Sequence, residues 1–121
     1  MVKRILSYLL PIKIHQRKSN FSKNLEVTWN NGQLVLDSEN TNYSYGSLER
    51  ILRKGLLYIG FDRIRKFEYI LVLGVAGGCV IKTLTQEIKF KGKITGVEID
   101  EVAIEIAQKF FQLQAIPNFN L

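Results

Sequence analysis

Small residues and carboxylates stand at the ends of two apolar segments in the second half of the chain. Residues 69–73 run into Gly74-Val75-Ala76-Gly77-Gly78, and the next apolar segment ends on Glu98-Ile99-Asp100. A tight glycine turn lets backbone approach a ligand closely, and a carboxylate at the end of the following strand can accept hydrogen bonds from ribose hydroxyls. The pattern predicts a nucleoside site in a βαβ unit, with these cofactor-binding residues: Gly74, Ala76, Gly77, Gly78, Glu98 and Asp100.

The spacing within the turn argues against two common nucleotide sites. A dinucleotide turn has glycine at its first, third and sixth positions, which here are Gly74, Ala76 and Cys79. The phosphate loop of ATPases requires Gly-Lys-Ser/Thr, whereas Cys79 and Val80 follow Gly78. The turn and the acidic residue after it resemble those of S-adenosylmethionine-binding proteins. The alternative is that the small residues only let a helix pack on a strand.

The surrounding segments have the periodicity of alternating strands and helices. Residues 69–73 form a continuous apolar run, which is typical of a strand buried on both faces of a parallel sheet. An apolar stripe with helical spacing begins at residue 47 and ends at Gly60, and the spacing recurs in residues 80–88 and 102–111. Further strands are predicted over residues 94–99 and from residue 118 onward. The order predicts an α/β fold with a Rossmann-like parallel sheet.

The first forty residues follow a different pattern. Residues 25–30 alternate between apolar and polar, Asn31-Gly32 supplies a two-residue turn, and residues 33–37 resume as a strand. With a further strand at residues 12–15, we predict a small antiparallel β region over residues 1–42. Residues 43–121 would then form the N-terminal half of the Rossmann-like domain. Because an isolated hairpin is marginal in water, this region must pack on the rest of the chain or on another subunit.

Composition limits the partners and the compartment. The chain has 121 residues and a net charge of +6, with the basic excess near its start. Such a patch suits nucleic acid or anionic lipid, but no nucleic-acid-binding motif and no segment of transmembrane length accompanies it. We therefore expect neither as a partner. With Cys79 as the only cysteine and His15 as the only histidine, we expect no disulfide and no metal site, and a cytoplasmic location.

Residues 96–111 resemble a segment of the spermidine synthase family. They read Gly-Val-Glu-Ile-Asp and continue as an amphipathic helix ending Lys-Phe-Phe, and the family segment reads V-E-I-D, then a helix, then K-x-F/Y. Residues 71–74, Leu-Val-Leu-Gly, are similar to the family's strand into its G-G-G-D-G-G loop. The hairpin followed by Tyr-Ser-Tyr at residues 43–45 matches the family's order of β domain, linker and catalytic domain. The resemblance extends from about residue 25 to residue 121 and is strongest over residues 69–111.

The resemblance implies an aminopropyltransferase. Spermidine synthases transfer an aminopropyl group from decarboxylated S-adenosylmethionine to putrescine, an in-line displacement that depends on positioning and electrostatics. By resemblance Glu98 binds the ribose, and Gly74 and Gly78 line the cofactor. Tyr43 or Tyr45 would form a wall of the polyamine site, with ordinary packing at a domain junction as the alternative for both tyrosines.

The chain departs from the family pattern at two places. Aligned on Gly74 and Gly78, the family's loop aspartate falls at Gly77 and its last glycine at Cys79. The family's catalytic aspartate lies beyond the point that matches Leu121. No residue is therefore assigned as catalytic, and we expect this chain to be inactive alone.

Three functional hypotheses follow. The first is the N-terminal portion of a spermidine synthase-like aminopropyltransferase, which takes decarboxylated S-adenosylmethionine and a polyamine. The second is a fragment of an S-adenosylmethionine-dependent methyltransferase, because Gly77 replaces the family's aspartate. The third is a non-catalytic module that oligomerises through its N-terminal sheet or an unpaired sheet edge. We expect a homo-oligomer.

Overall fold

Two β-sheets and five α-helices form in residues 1–39 and 41–121, which the computed structural model describes. β1 to β4 form an antiparallel sheet in sequential order, and β5, β6 and β7 form a separate parallel sheet. The prediction of a mixed α/β fold with an N-terminal antiparallel sheet and a parallel sheet is confirmed. The elements are α1 (Val2–Leu6), β1 (Ile12–Arg17), β2 (Leu25–Asn30), β3 (Gln33–Ser38), β4 (Thr41–Ser44), α2 (Gly46–Ile59), α3 (Phe61–Arg65), β5 (Tyr69–Leu73), α4 (Cys79–Lys82), β6 (Lys93–Val97), α5 (Glu101–Phe111) and β7 (Phe119–Asn120).

The predicted hairpin is confirmed, and α1 closes over its turn. Asn31 and Gly32 have φ of 50° and 77°, as a two-residue hairpin turn between β2 and β3 requires. Ser7, just after α1, accepts a hydrogen bond from the Gly32 N–H at its Oγ (2.9 Å) and one from the Asn31 N–H at its carbonyl (3.1 Å). The sequence did not predict α1, because five residues are too few to show a helical repeat and no side chain caps the helix.

A fourth strand, β4, which the sequence analysis did not predict, extends the first sheet to Ser44. Asn42 connects this strand to its neighbours: its Nδ2 donates to the Leu36 carbonyl (3.3 Å) and to Asp37 Oδ1 (2.9 Å). Its Oδ1 accepts from the Leu48 N–H (3.0 Å) and so caps the first turn of α2. The sheet therefore crosses the predicted boundary at residue 42; Asn40, inside the predicted first region, lies outside the described residues.

The helix predicted over residues 80–88 is shorter than expected and changes type. α4 ends at Lys82 and continues as a π-type turn over Thr83–Glu87. The hydroxyl groups of Thr83 and Thr85 bond back to the carbonyls of Cys79 (3.0 Å) and Ile81 (2.9 Å). Such back-bonding competes with regular helix geometry, which is why apolar spacing alone did not reveal the change.

The N-terminal sheet shares its core with helices from the second half of the chain. Leu25, Val27 and Leu36 of this sheet are fully buried in one cluster with Ile106 and Phe111 of α5. A second cluster lies between the parallel sheet and the helices, and includes Ile64, Ile81, Leu84, Ile88 and Ile94. Because the first cluster draws on both halves of the sequence, the antiparallel sheet depends on the helices for its burial.

One face of the parallel sheet is exposed, contrary to the expectation that residues 69–73 are buried on both faces. Tyr69, Leu71 and Leu73 of β5 are 53%, 52% and 75% exposed, and Val97 of β6 is 51% exposed. Ile70 and Val72 point to the covered face and pack against the second cluster. The apolar run therefore indicated the strand correctly but not its surroundings.

Because the core is shared, we expect the two sheets to unfold in one transition. Ile106→Ala should lower the free energy of unfolding by about 2–5 kcal/mol, since it removes a fully buried side chain from the first cluster. Ile51→Ala is the matched control, because Ile51 is 65% exposed, and should change stability by less than about 0.5 kcal/mol. Urea unfolding followed by Trp29 fluorescence and by circular dichroism measures both; two separate transitions would show that the sheets fold independently.

Candidate functional site

The turn from β5 into α4 adopts backbone angles that favour glycine. Gly74 and Gly78 have φ of 79° and 82°, and Ala76 between them has φ of 49°. A Cβ added at Gly74 would meet open space, whereas one at Gly78 would collide with the side chain of Leu113. One side of the turn is thus open to a ligand, and the other is packed against the chain.

Glu98, at the end of β6, binds this turn directly. Its Oε1 accepts hydrogen bonds from the N–H groups of Val75 (3.1 Å) and Ala76 (2.7 Å), and its Oε2 accepts one from the Asp100 N–H (3.2 Å). A carboxylate accepts about four hydrogen bonds, so one acceptor site remains on Oε2. The predicted turn and the predicted acidic residue therefore lie together, and the carboxylate shapes the turn.

Asp100 caps α5. Its Oδ1 accepts from the N–H groups of Val102 (3.0 Å) and Ala103 (3.4 Å), and its Oδ2 accepts from the hydroxyl of Ser19 (2.6 Å). The side chain is buried, and these bonds satisfy two free N–H groups of the helix. Asp100 therefore positions the connection that follows Glu98 and ties it to the β1–β2 connection.

Gly77 lies on the packed side of the turn, against residues of the N-terminal half. The Tyr45 hydroxyl donates to the Gly77 carbonyl (2.7 Å), and Ser44 Oγ accepts from the Cys79 N–H (3.3 Å). A Cβ at Gly77 would stand 2.8 Å from Ser44 Cβ, closer than real Cβ atoms approach, and 3.0 Å from Tyr45 Cε2, which is also tight. This crowding gives a physical reason for glycine at the position where the resembling family has aspartate.

The two predicted substrate tyrosines lie in different places. Tyr43, more than a third exposed, borders a cavity of about 80 Å³ together with Gly74, Ala76 and Gly78. Tyr45 is buried, its ring stacks on Phe111 at 4.6 Å, and burial raises the pKa of its hydroxyl. Only Tyr43 therefore adjoins the glycine turn on its cavity side.

Two larger cavities each have in their wall a residue that is hydrogen-bonded to the turn or to Glu98. One, of about 410 Å³, lies between the β1–β2 connection and the start of α5, lined by Ser19, Phe21, Ile99 and Asp100 among others. The other, of about 430 Å³, has Tyr45 in its wall. Ligand pockets usually have volumes of about 300–1,000 Å³, so both have room for a nucleoside-sized molecule and the cavity at Tyr43 does not.

Several basic residues near the start of the chain bind groups of the same chain. Arg4 Nε donates to the Gly32 carbonyl (3.1 Å), Lys13 pairs with Glu26 (2.9 Å), and Arg17 pairs with Glu105.

In the described part of the chain, no group of three His, Cys, Asp or Glu is arranged to hold a metal ion. Nor does any helix there have the length and hydropathy needed to cross a membrane.

The sequence did not single out Ser44, Ser19 or Lys82, although all three border the turn or its cavities. Each is separated along the chain from the groups it meets, so no local spacing marks it.

Cys79 is buried in the first core cluster, as a small residue in a crowded turn. His15 lies beside Phe110 at 4.8 Å, and its burial, with the charges of Lys109 and Arg17, lowers its pKa.

Comparisons with known proteins found neither a matching family model nor a similar curated protein. The likeness to spermidine synthases therefore rests on the residues quoted above, and it stays a prediction.

The capping role of Asp100 can be measured by substitution. Asp100→Ala should lower the free energy of unfolding by about 1–2 kcal/mol, since α5 loses its cap. Asp100→Asn should retain most of that stability, because an amide oxygen also accepts from the helix N–H groups. Glu101→Ala, an exposed change in the same turn, is the control for lost charge. Equal effects of the Ala and Asn variants in urea unfolding would contradict this role.

Proposed function

We propose that this chain binds the nucleoside part of decarboxylated S-adenosylmethionine, as the N-terminal portion of a spermidine synthase-like aminopropyltransferase with a polyamine as acceptor. The observation that carries the proposal is the Glu98 carboxylate, which holds the glycine turn and keeps one acceptor site on Oε2. Since the resemblance places the catalytic aspartate outside this sequence, the proposal concerns binding of the donor and not turnover by this chain alone.

The free acceptor site on Glu98 suits a ribose hydroxyl. A hydroxyl that donates to a carboxylate forms a charge-assisted hydrogen bond, which is stronger than a neutral one. The cavity of about 410 Å³ begins just beyond this residue and has apolar walls in Ile99 and Phe21, which are 73% and 57% exposed. We place the flat base of the nucleoside between these two side chains.

The bonds of Glu98 to the turn favour a decarboxylated donor. S-adenosylmethionine carries a carboxylate that needs hydrogen-bond donors, and the N–H groups of Val75 and Ala76 are already bound to Glu98. A second carboxylate near Glu98 would also be repelled. Decarboxylated S-adenosylmethionine lacks that group and carries only positive charge, which Glu98 attracts. The occupied N–H groups and the charge of Glu98 therefore favour the aminopropyl donor over the methyl donor of the second hypothesis.

Of the two tyrosines expected to form a wall of the polyamine site, we propose Tyr43, and not Tyr45, as the one that contacts the acceptor amine. Tyr43 borders the same small cavity as Gly74, so an amine beside its ring would lie near the donor. Tyr45 has the Lys82 ammonium 5.4 Å from its ring centre, and that charge would repel a polyamine.

Calorimetry with three ligands tests the proposal. Decarboxylated S-adenosylmethionine and methylthioadenosine should each bind more tightly than S-adenosylmethionine. Glu98→Gln should weaken methylthioadenosine binding by about tenfold or more, the usual effect of losing a charge-assisted hydrogen bond. The same variant should leave the affinity for the 2′,3′-dideoxy analogue unchanged, because that analogue has no ribose hydroxyl to donate.

Glu101→Gln is the matched control, since it removes a neighbouring exposed carboxylate. Circular dichroism establishes that the variants remain folded. Equal or reversed preference between the decarboxylated and carboxylated donors would remove the aminopropyltransferase hypothesis, and an equal loss for the dideoxy analogue would remove the ribose contact.

The exposed face of the parallel sheet favours a second candidate function, homo-oligomerisation. Within residues 1–39 and 41–121, β5 pairs with β6 alone, so its other edge is unpaired. An exposed apolar edge strand is a template for pairing with another chain. We propose a second copy of this chain as its occupant.

The residues of β5 are self-complementary in an antiparallel pair. With Leu71 opposite Leu71 of the second copy, Tyr69 faces Leu73, and all these side chains lie on the exposed face. The strand carries no charged residue, so pairing brings no like charges together within it. The two three-stranded sheets would then form a six-stranded sheet, which is an ordinary size.

Light scattering tests this arrangement. The chain should be a dimer at micromolar concentration, and Leu71→Lys should shift it to monomer because the substitution places two ammonium groups opposite each other. Leu9→Lys, at an apolar residue 81% exposed in the N-terminal segment, should leave the dimer intact. A monomeric parent chain, or an equal effect of both substitutions, would contradict the proposal.

A further inference from the structure

An apolar stripe at the start of the chain lies on the outside of the molecule. The N–H groups of Leu9 and Leu10 both bond back to the Leu6 carbonyl (3.0 and 3.3 Å), so the helical turn continues past the end of α1. Residues three and four apart share one face of a helix. The side chains on this face, which are between 45% and 81% exposed, are those of Val2, Ile5, Leu6 and Leu9.

Ser7 is on the opposite face and holds the segment to the hairpin. It is buried, and its Oγ and carbonyl accept from the N–H groups of Gly32 and Asn31 (2.9 and 3.1 Å). The polar side therefore faces the body of the molecule, and the apolar side faces away from it. A surface helix normally has the reverse orientation. Exposed apolar surface of this kind marks an interaction site.

Positive charge accompanies the stripe. Residues 1–25 contain no Asp or Glu, and their basic residues are Lys3, Arg4, Lys13, Arg17, Lys18 and Lys23. Lys3 and Arg4 belong to α1 itself, and within the described residues neither forms an ion pair. Arg4 donates to the backbone carbonyl of Gly32, which leaves its charge unbalanced.

The charged groups around the hairpin do not offset these two cations. Glu26 is paired with Lys13 (2.9 Å). α2 brings one charge of each sign, since Glu49 accepts from Gln33 (3.1 Å) and Arg50 lines a cavity together with Gln33. The excess positive charge therefore lies on α1, beside the apolar stripe.

Aliphatic side chains with cations beside them match the surface of an anionic lipid bilayer. The apolar face of such a helix enters the boundary between head groups and acyl chains, and Lys or Arg attracts anionic lipid. The free face of β5 differs, because that strand carries no charged residue. Charge therefore distinguishes the stripe from the surface at which we propose a second copy of the chain.

We infer that the stripe of α1 inserts into the surface of an anionic bilayer, with Lys3 and Arg4 contacting the lipid head groups. Such binding does not need a segment of transmembrane length, on which the expectation of no lipid partner was based. The stripe is separate from the nucleoside site and does not rest on the proposed function.

Vesicle flotation with the full chain measures this association. Vesicles of phosphatidylcholine with about one third phosphatidylserine should bind the chain at least tenfold more tightly than phosphatidylcholine alone, because each cation near an anionic surface contributes about fivefold in affinity. Added salt should weaken the binding, since it screens this attraction.

Substitutions identify the surface that binds. Ile5→Ser should weaken binding to the mixed vesicles about tenfold, because an aliphatic side chain is lost from the inserted face. Ile51→Ser is the matched control, since Ile51 of α2 is 65% exposed and Ile5 is 62% exposed. Lys3→Gln should weaken binding about fivefold, and Lys54→Gln, at an exposed lysine of α2, should have little effect. Circular dichroism establishes that the variants remain folded.

Several results would overturn the inference. They are equal binding to the two kinds of vesicle, no binding to either, and equal effects of the Ile5 and Ile51 substitutions. A dimer that Ile5→Ser converts to monomer in light scattering without lipid would instead assign the stripe to a second copy of the chain.

Discussion

The backbone of the glycine turn is held from two sides by side chains of the same chain, and the rest of the structure is arranged around this constraint. Glu98 accepts from the N–H groups of Val75 and Ala76 on one side, and the Tyr45 hydroxyl donates to the Gly77 carbonyl on the other. Backbone groups away from water need such partners, because an unpaired one costs about as much as a lost hydrogen bond. The turn is therefore preorganised, and its open side at Gly74 is where a ligand can approach.

The constraint also links the N-terminal sheet to the second half of the chain. β4 ends at Ser44, whose hydroxyl accepts from the Cys79 N–H, and the next residue along the chain supplies the bond to Gly77. Tyr45 then stacks on Phe111 of α5, inside the core that the sheet shares with the helices. Packing of the sheet and geometry of the turn are thus linked through one short segment.

The fold leaves two surfaces with different chemistry. The carboxyl ends of β5 and β6 present a carboxylate with a remaining acceptor site, and the free face of β5 is apolar. The first surface suits a hydrogen-bond donor, and the second suits another apolar surface.

The sequence by itself determined the local elements, and the tertiary structure decided what surrounds them. Asn31-Gly32 specifies a hairpin turn through its own φ preferences, and the apolar run at residues 69–73 and the stripe at residues 102–111 specify β5 and α5 through their periodicity. Such signals are complete within a few residues. The exposure of one face of β5, the link from Tyr45 to Gly77 and the place of Lys82 between two rings all depend on groups far apart along the chain. Periodicity records which side chains are apolar and how they repeat, but burial and hydrogen bonding depend on which distant segment arrives opposite them, and only the folded chain decides that.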